Sequence, residues 1–320
     1  MRWLVLLTLL LMPASAQAGT IAREGSELVY RSAPGESDYI VVQDLGAGSS
    51  VSAGGTGVTP GTGCVRRSCS IDGITAVRVI AADGDDQVEV YVDLPVIVDL
   101  GPGNDSFGGK ATALTVSGGE GKDVIGGEMG GGLVDGGPGD DRLRADASDA
   151  LTGPLVIAGG AGDDQITLEG IARAGTSIAG GEGDDKLSTA EVIGLGPGTD
   201  VSCGPGDDRL LLYLTDRPGE GCAPGITGVT ANTVSRAFDE GTLAGPAAVA
   251  VKLYLAVGRG TVARGFATFS AAGPLRLRLK TTDKGRRWVR RHPRLDVGVS
   301  IRTRFRGDVN DCFFVARLAR

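Results

Sequence analysis

One five-residue phrase recurs eight times between positions 82 and 208, and a chain that repeats at so short a period has to fold as a repeat. It starts as Ala82-Asp83-Gly84-Asp85-Asp86 and continues as Gly101-Pro102-Gly103-Asn104-Asp105, Gly119-Glu120-Gly121-Lys122-Asp123 and Gly137-Pro138-Gly139-Asp140-Asp141. The later copies are Gly160-Ala161-Gly162-Asp163-Asp164, Gly181-Glu182-Gly183-Asp184-Asp185, Gly196-Pro197-Gly198-Thr199-Asp200 and Gly204-Pro205-Gly206-Asp207-Asp208. The closing aspartates fall at 86, 105, 123, 141, 164, 185, 200 and 208, in steps of 19, 18, 18, 23, 21, 15 and 8. A step near 18 is one turn of a flattened coil made of two short strands and two turns. Alternating, β-branched runs supply the strands: Val88-Glu89-Val90-Tyr91-Val92 and Ile166-Thr167-Leu168 after a phrase, Val96-Ile97-Val98 and Leu114-Thr115-Val116 before the next. The phrases then stack on one edge, about one strand spacing (~4.8 Å) apart. The expected fold is all-β: a parallel β-roll or β-solenoid with about 18 residues per turn, followed by a small antiparallel β-sandwich.

Composition agrees with a repeat and narrows the chemistry. The 320 residues include 54 Gly and 14 Pro, yet 41% are hydrophobic, too many for a simply disordered chain. A single His makes a Ser-His-Asp triad improbable and removes the two-His zinc helix. Gly109-Lys110-Ala111 and Gly121-Lys122-Asp123 lack the upstream Gly and the following Ser or Thr of a phosphate-binding loop. The net charge of −7 hides a division: residues 241–320 carry 17 Lys/Arg against four Asp/Glu, or +13, leaving −20 for residues 1–240. Two blocks of opposite sign argue for two parts with different surfaces.

Residues 1–18 read as a secretory signal peptide: Arg2, an apolar run from Leu4 to Met12, and Ala16-Gln17-Ala18 before the cleavage point. The run is shorter than the ~20 residues that span a bilayer, and no later segment is apolar enough, so a secreted chain with no membrane span is expected. In an oxidising compartment Cys64 and Cys69 can pair locally, as can Cys203 and Cys222. Cys312 is then left as a free thiol, an intermolecular partner, or a sign that the pairing differs.

The repeat resembles the RTX family, the hemolysin-type calcium-binding β-roll, whose nonapeptide is Gly-Gly-x-Gly-x-Asp-x-apolar-x. Residues 118–125, 136–143, 159–166 and 180–187 carry the double Gly and the following apolar residue, and the likeness covers roughly 82–210. It implies calcium as the cofactor, with side-chain ligands Asp86, Asp105, Asp123, Asp141, Asp164, Asp185, Asp200 and Asp208. The implied carbonyl donors are Gly101, Gly103, Gly119, Gly121, Gly137, Gly139, Gly160, Gly162, Gly181 and Gly183. Calcium takes six to eight oxygens in irregular geometry, which such turns can offer, whereas magnesium is stricter and zinc or copper would want thiolate or imidazole. Matches sit a full turn apart, so one row of sites is expected, with the opposite edge degenerate (Gly126-Gly127-Glu128-Met129-Gly130). Asp200 and Asp208 compete for one stacking position. The bland alternative is plain Asp/Gly turns without metal.

The expected organisation is a signal peptide (1–18), an N-terminal β cap (19–81), the roll (82–222), a linker (223–243) and a basic β-sandwich (244–320). That last segment holds seven of the chain's 14 aromatic residues and alternating runs such as Leu275-Arg276-Leu277-Arg278-Leu279. Its arginines are either solvated positions on exposed strands or an adhesive face for an anionic cell-wall polymer or polysaccharide; nucleic acid is not an expected partner. Thr282-Asp283 could cap a short helix carrying Trp288, and His292 lies in a basic loop. The leading functional expectation is a non-enzymatic, calcium-binding protein with a structural or adhesive role outside the cell. The alternative is an extracellular polymer-degrading hydrolase that uses carboxylates.

Overall fold

The computed structural model describes residues 19–35, 37–44, 50–54, 58–147, 153–170, 173–190, 198–212, 217–219 and 222. Beyond these it describes 226–227, 233–234, 237–238, 242–243, 247–255, 261–271, 273–274, 277–283, 286–287, 295–305 and 308–318. The expected signal peptide, Gly196, Pro197, Trp288 and His292 lie outside the described residues.

Alternation of small apolar and polar residues produces two facing parallel sheets, and the chain passes from one to the other. The first stacks Glu27–Arg31, Ala76–Ile80, Val96–Asp99, Leu114–Ser117, Gly132–Pro138, Leu155–Ala161, Ser177–Glu182, Asp200–Ser202 and Arg217–Pro218. The second stacks Tyr39–Asp44, Gln87–Tyr91, Ser106–Ala111, Val124–Met129, Arg142–Ala147, Gln165–Gly170, Lys186–Ala190 and Arg209–Leu212. The all-β parallel solenoid expected from the repeat is therefore present.

Each inward position forms a column of like residues. In the second sheet Ile40, Val88, Phe107, Ile125, Leu143, Ile166, Leu187 and Leu210 lie in register, all buried. Burying each such side chain stabilises by about 1.5–3 kcal/mol, which gives this aromatic-poor coil its core.

A turn averages about 21 residues rather than 18, and the excess sits on one edge. The phrase edge is constant: residues 100–105 link Asp99 to Ser106, and 118–123 link Ser117 to Val124. The opposite edge varies, from residues 112–113 between Ala111 and Leu114 to residues 148–154 between Ala147 and Leu155. Interlocking contacts between successive phrases hold that edge to a constant length.

Antiparallel strands cover the N-terminal end. Thr20–Glu24 pairs with Glu27–Arg31, and Ser50–Gly54 pairs with Tyr39–Asp44. A parallel coil left with a bare end would template other chains, and reversing strand direction blocks that. The expected disulfide Cys64–Cys69 lies here, and Cys203–Cys222 fastens the last turn.

At the other end Arg209–Leu212 pairs in parallel with Asp308–Leu318. From there a small antiparallel sheet continues through Leu295–Phe305, Ala247–Leu255, Thr261–Phe269 and Lys280–Thr281. The region 223–243 contributes two-residue strands such as Ile226–Thr227 and Thr242–Leu243. Asp283, Arg286 and Arg287 are helical, with the Arg286 amide donating to the Thr282 carbonyl at 2.8 Å. No helix among the described residues is long and apolar enough to cross a membrane.

Candidate metal centre

Close backbone stacking explains why the phrase needs its glycines. Gly121 and Gly137 adopt φ of 131° and 102°, a region that side chains disfavour. A Cβ on Gly121 would lie 1.6 Å from the carbonyl oxygen of Gly103 one turn earlier, and one on Gly137 would lie 2.3 Å from that of Gly119. Amides tie the turns as well: Gly121 donates to the carbonyl of Pro138 (2.9 Å) and Gly139 to that of Ala161 (2.7 Å).

This packing places the closing aspartates in one buried column. Asp38, Asp86, Asp105, Asp123, Asp141, Asp164, Asp185 and Asp208 are each at most 5% exposed. Every Oδ1 from Asp86 onward accepts the backbone N–H of the preceding aspartate in the column, at 2.6–2.9 Å. The Oδ2 atoms of Asp38, Asp86, Asp105, Asp123, Asp141, Asp164 and Asp185 are buried with no hydrogen-bond partner. Burial pushes the carboxyls of Asp105 and Asp164 up to about 7, and those of Asp86, Asp141 and Asp185 up to about 6. Desolvation is the largest cause. The accepted N–H pulls the other way, and neighbouring carboxylates add repulsion. Asp123 is also raised, by desolvation. An orphaned anionic oxygen in such a place calls for positive charge, from a proton or a cation.

A second row runs along the exposed side of the same edge with opposite polarity. Here the earlier turn accepts: Asn104 N donates to Asp85 Oδ1 (2.8 Å), Lys122 N to Asn104 Oδ1 (3.0 Å), Asp163 N to Asp140 Oδ1 (3.1 Å) and Asp184 N to Asp163 Oδ1 (2.9 Å). Lys122 Nζ reaches forward to Asp140, and this contact holds the Asp140 carboxyl below its usual value. These residues, the variable position before each closing Asp, were not singled out from the sequence.

Seven of the eight aspartates expected as ligands share the column. Asp200 does not: it is exposed and begins the strand Asp200–Ser202, opposite Ser177 of the first sheet. Asp208 takes the place after Asp185, which settles the competition between the last two phrases. Asp38 joins the column unannounced. The carbonyls of the ten expected glycines press against the glycine of the following turn. The carbonyls of Gly136, Gly159, Gly180 and Cys203 also lie near the carboxylates, each close to the same built Cβ position as an Asp Oδ2 of the preceding turn.

Among the described residues no three His, Cys, Asp or Glu side chains converge on one point, so a cation on this edge would rest on one or two carboxylates together with backbone carbonyls. An all-oxygen, buried donor set with an unpartnered carboxylate oxygen in each turn from Asp38 to Asp185 fits calcium and offers zinc or copper nothing of their preferred ligands. No protein-family model, curated protein or solved structure matches the chain.

Proposed function

We propose that this chain is an exported, non-enzymatic calcium-binding β-roll of the RTX type, which orders when calcium binds and serves a structural or adhesive role outside the cell. The observation that carries the reading is the run of seven buried Oδ2 atoms without partners, from Asp38 to Asp185. Calcium bound along that edge would supply the positive charge that lets neighbouring carboxylates stay ionised together. The chain's own part is to seat the turns through glycine contacts and to hold each carboxylate by one N–H, leaving its second oxygen available. Export is supported by the two disulfides, which suit an oxidising compartment.

An adhesive role is supported by the C-terminal sheet. On one face of Thr261–Phe269 the ring of Phe266 is 71% exposed and Arg264 is exposed two residues away. Phe266 lies opposite Ala250, which lies opposite the exposed Arg302, while Arg264 lies opposite the exposed Lys280. Cations around an aromatic ring on a flat sheet suit an anionic polysaccharide, which offers carboxylates and apolar sugar faces.

Circular dichroism of the full chain under calcium titration tests the main reading. Excess chelator should remove most of the roll's β signal, calcium should restore it, and magnesium at equal concentration should do much less. An unchanged spectrum in chelator, with no bound metal by mass analysis, would overturn it.

A further inference from the structure

We infer that the cation row is four sites long and occupies the middle of the roll, closed at both ends by side chains. The inference rests on the calcium reading above and adds what distinguishes one turn from the next. Five residues before Asp123, Asp141, Asp164 and Asp185 stand Gly118, Gly136, Gly159 and Gly180. Unlike the later glycines of each phrase, these four do not have the positive φ that would require glycine. What they provide is space. A Cβ on Gly118 would lie 2.3 Å from Asp123 Oδ2 and 2.3 Å from the Gly136 carbonyl oxygen. On Gly136 the corresponding distances to Asp141 Oδ2 and Gly159 O are 2.3 and 2.5 Å. On Gly159 they are 2.1 and 2.4 Å to Asp164 Oδ2 and Gly180 O, and on Gly180 they are 2.2 and 2.7 Å to Asp185 Oδ2 and Cys203 O. At each of these turns an unpartnered carboxylate oxygen and a carbonyl of the following turn face one recess from which the side chain is missing.

The other three phrases of the column lack that recess. Ala81, Leu100 and Cys203 hold the same place before Asp86, Asp105 and Asp208, and all three are fully buried. Each carries a Cβ where the four central turns have glycine. Leu100 belongs to the core, and Cys203 is bonded to Cys222. All of these aspartates therefore lock turns together through the N–H bonds to Oδ1, and those in the middle also face a cation.

Metal content of the full-length chain, measured after equilibrium dialysis against buffered calcium, tests this. The expected count is four ions per chain. Asp141→Asn and Asp164→Asn should each lose at least one, while Asp105→Asn and Asp208→Asn should keep four. A Leu100→Gly chain that retains its β spectrum should bind a fifth ion, and a count still at four there would overturn the steric argument. Seven or eight ions in the unaltered chain, or an ion lost in Asp105→Asn, would overturn the inference while leaving the calcium reading standing. No bound ion at all would overturn both.

Discussion

Replacing Asp141 by Asn should change sign in its effect on stability, depending on what fills the column. The substitution keeps shape and keeps an oxygen to accept the Asp123 amide, but it removes the charge. In the metal-free fold the carboxyl rises from 3.8 to about 6, chiefly through burial. A carboxyl raised on folding contributes stability that is fully present below its unfolded value and is lost as pH climbs through its folded value. The window here is therefore about pH 4 to 6. Above it the folded chain carries a desolvated charge whose full cost, at ~1.4 kcal/mol per unit, is about 3 kcal/mol. Because neighbours in the column titrate together and share protons, we expect ~1–2 kcal/mol for one substitution. In chelator at pH 8, where most of the parent roll is disordered, Asp141→Asn should therefore retain more β signal by circular dichroism, a folding equilibrium shifted in its favour by that amount. At pH 4 the two should nearly coincide, and in calcium at pH 8 the variant should be the weaker. The parent in chelator should itself lose stability between pH 4 and 7. A variant less stable than the parent in chelator at pH 8, or a metal-free parent that gains stability over that pH range, would refute the reasoning.

Gly136→Ala should destabilise by about 1–3 kcal/mol through overpacking against Asp141 Oδ2 and the Gly159 carbonyl. Gly153→Ala, where nothing lies within 4 Å of the new Cβ, should be near neutral; equal midpoints in urea would contradict the packing argument. Non-reducing peptide maps should contain the Cys64–Cys69 and Cys203–Cys222 links. Replacing the second pair by serines should lower stability by roughly 3 kcal/mol, since it closes the longer loop. Phe266→Ala should weaken retention on an anionic glycan column without moving the melting temperature, and retention of the parent should fall as salt rises. Retention that ignores both would remove the adhesive reading.

The period of the roll was legible because each turn repeats the same steric demand in the same residue types. Membership of the column was less legible, because it is decided by register rather than by the phrase. Asp38 follows Pro34-Gly35-Glu36-Ser37, which fits the phrase poorly, yet Ile40 two residues on enters the apolar column. Asp200 closes a good phrase, but Ser202 stands at that second place, where Asp208 has the buried Leu210. An apolar residue two positions after Asp would have selected all eight members and excluded Asp200. Turn length was underestimated for a related reason. The three closely spaced phrases at 105, 123 and 141 have the short opposite loops, so they represent the minimum. Ala82, with φ of 73° where other copies have Gly, shows that the first copy bears a backbone cost that its letters alone do not reveal.

The two edges of the coil also differ in how freely sequence can change along them. On the phrase edge every residue is counted, since one added atom at Gly121 or one added residue between Ser117 and Val124 breaks the seat for the next turn. On the far edge the link has already grown from residues 112–113 to residues 148–154 without disturbing the register of the strands on either side. The molecule thus works as a ruler with a blank margin. Peptides grafted between Ala111 and Leu114, or between Ala147 and Leu155, would be carried at fixed intervals of whole strand spacings, a regular display made by a scaffold whose own marks cannot slip.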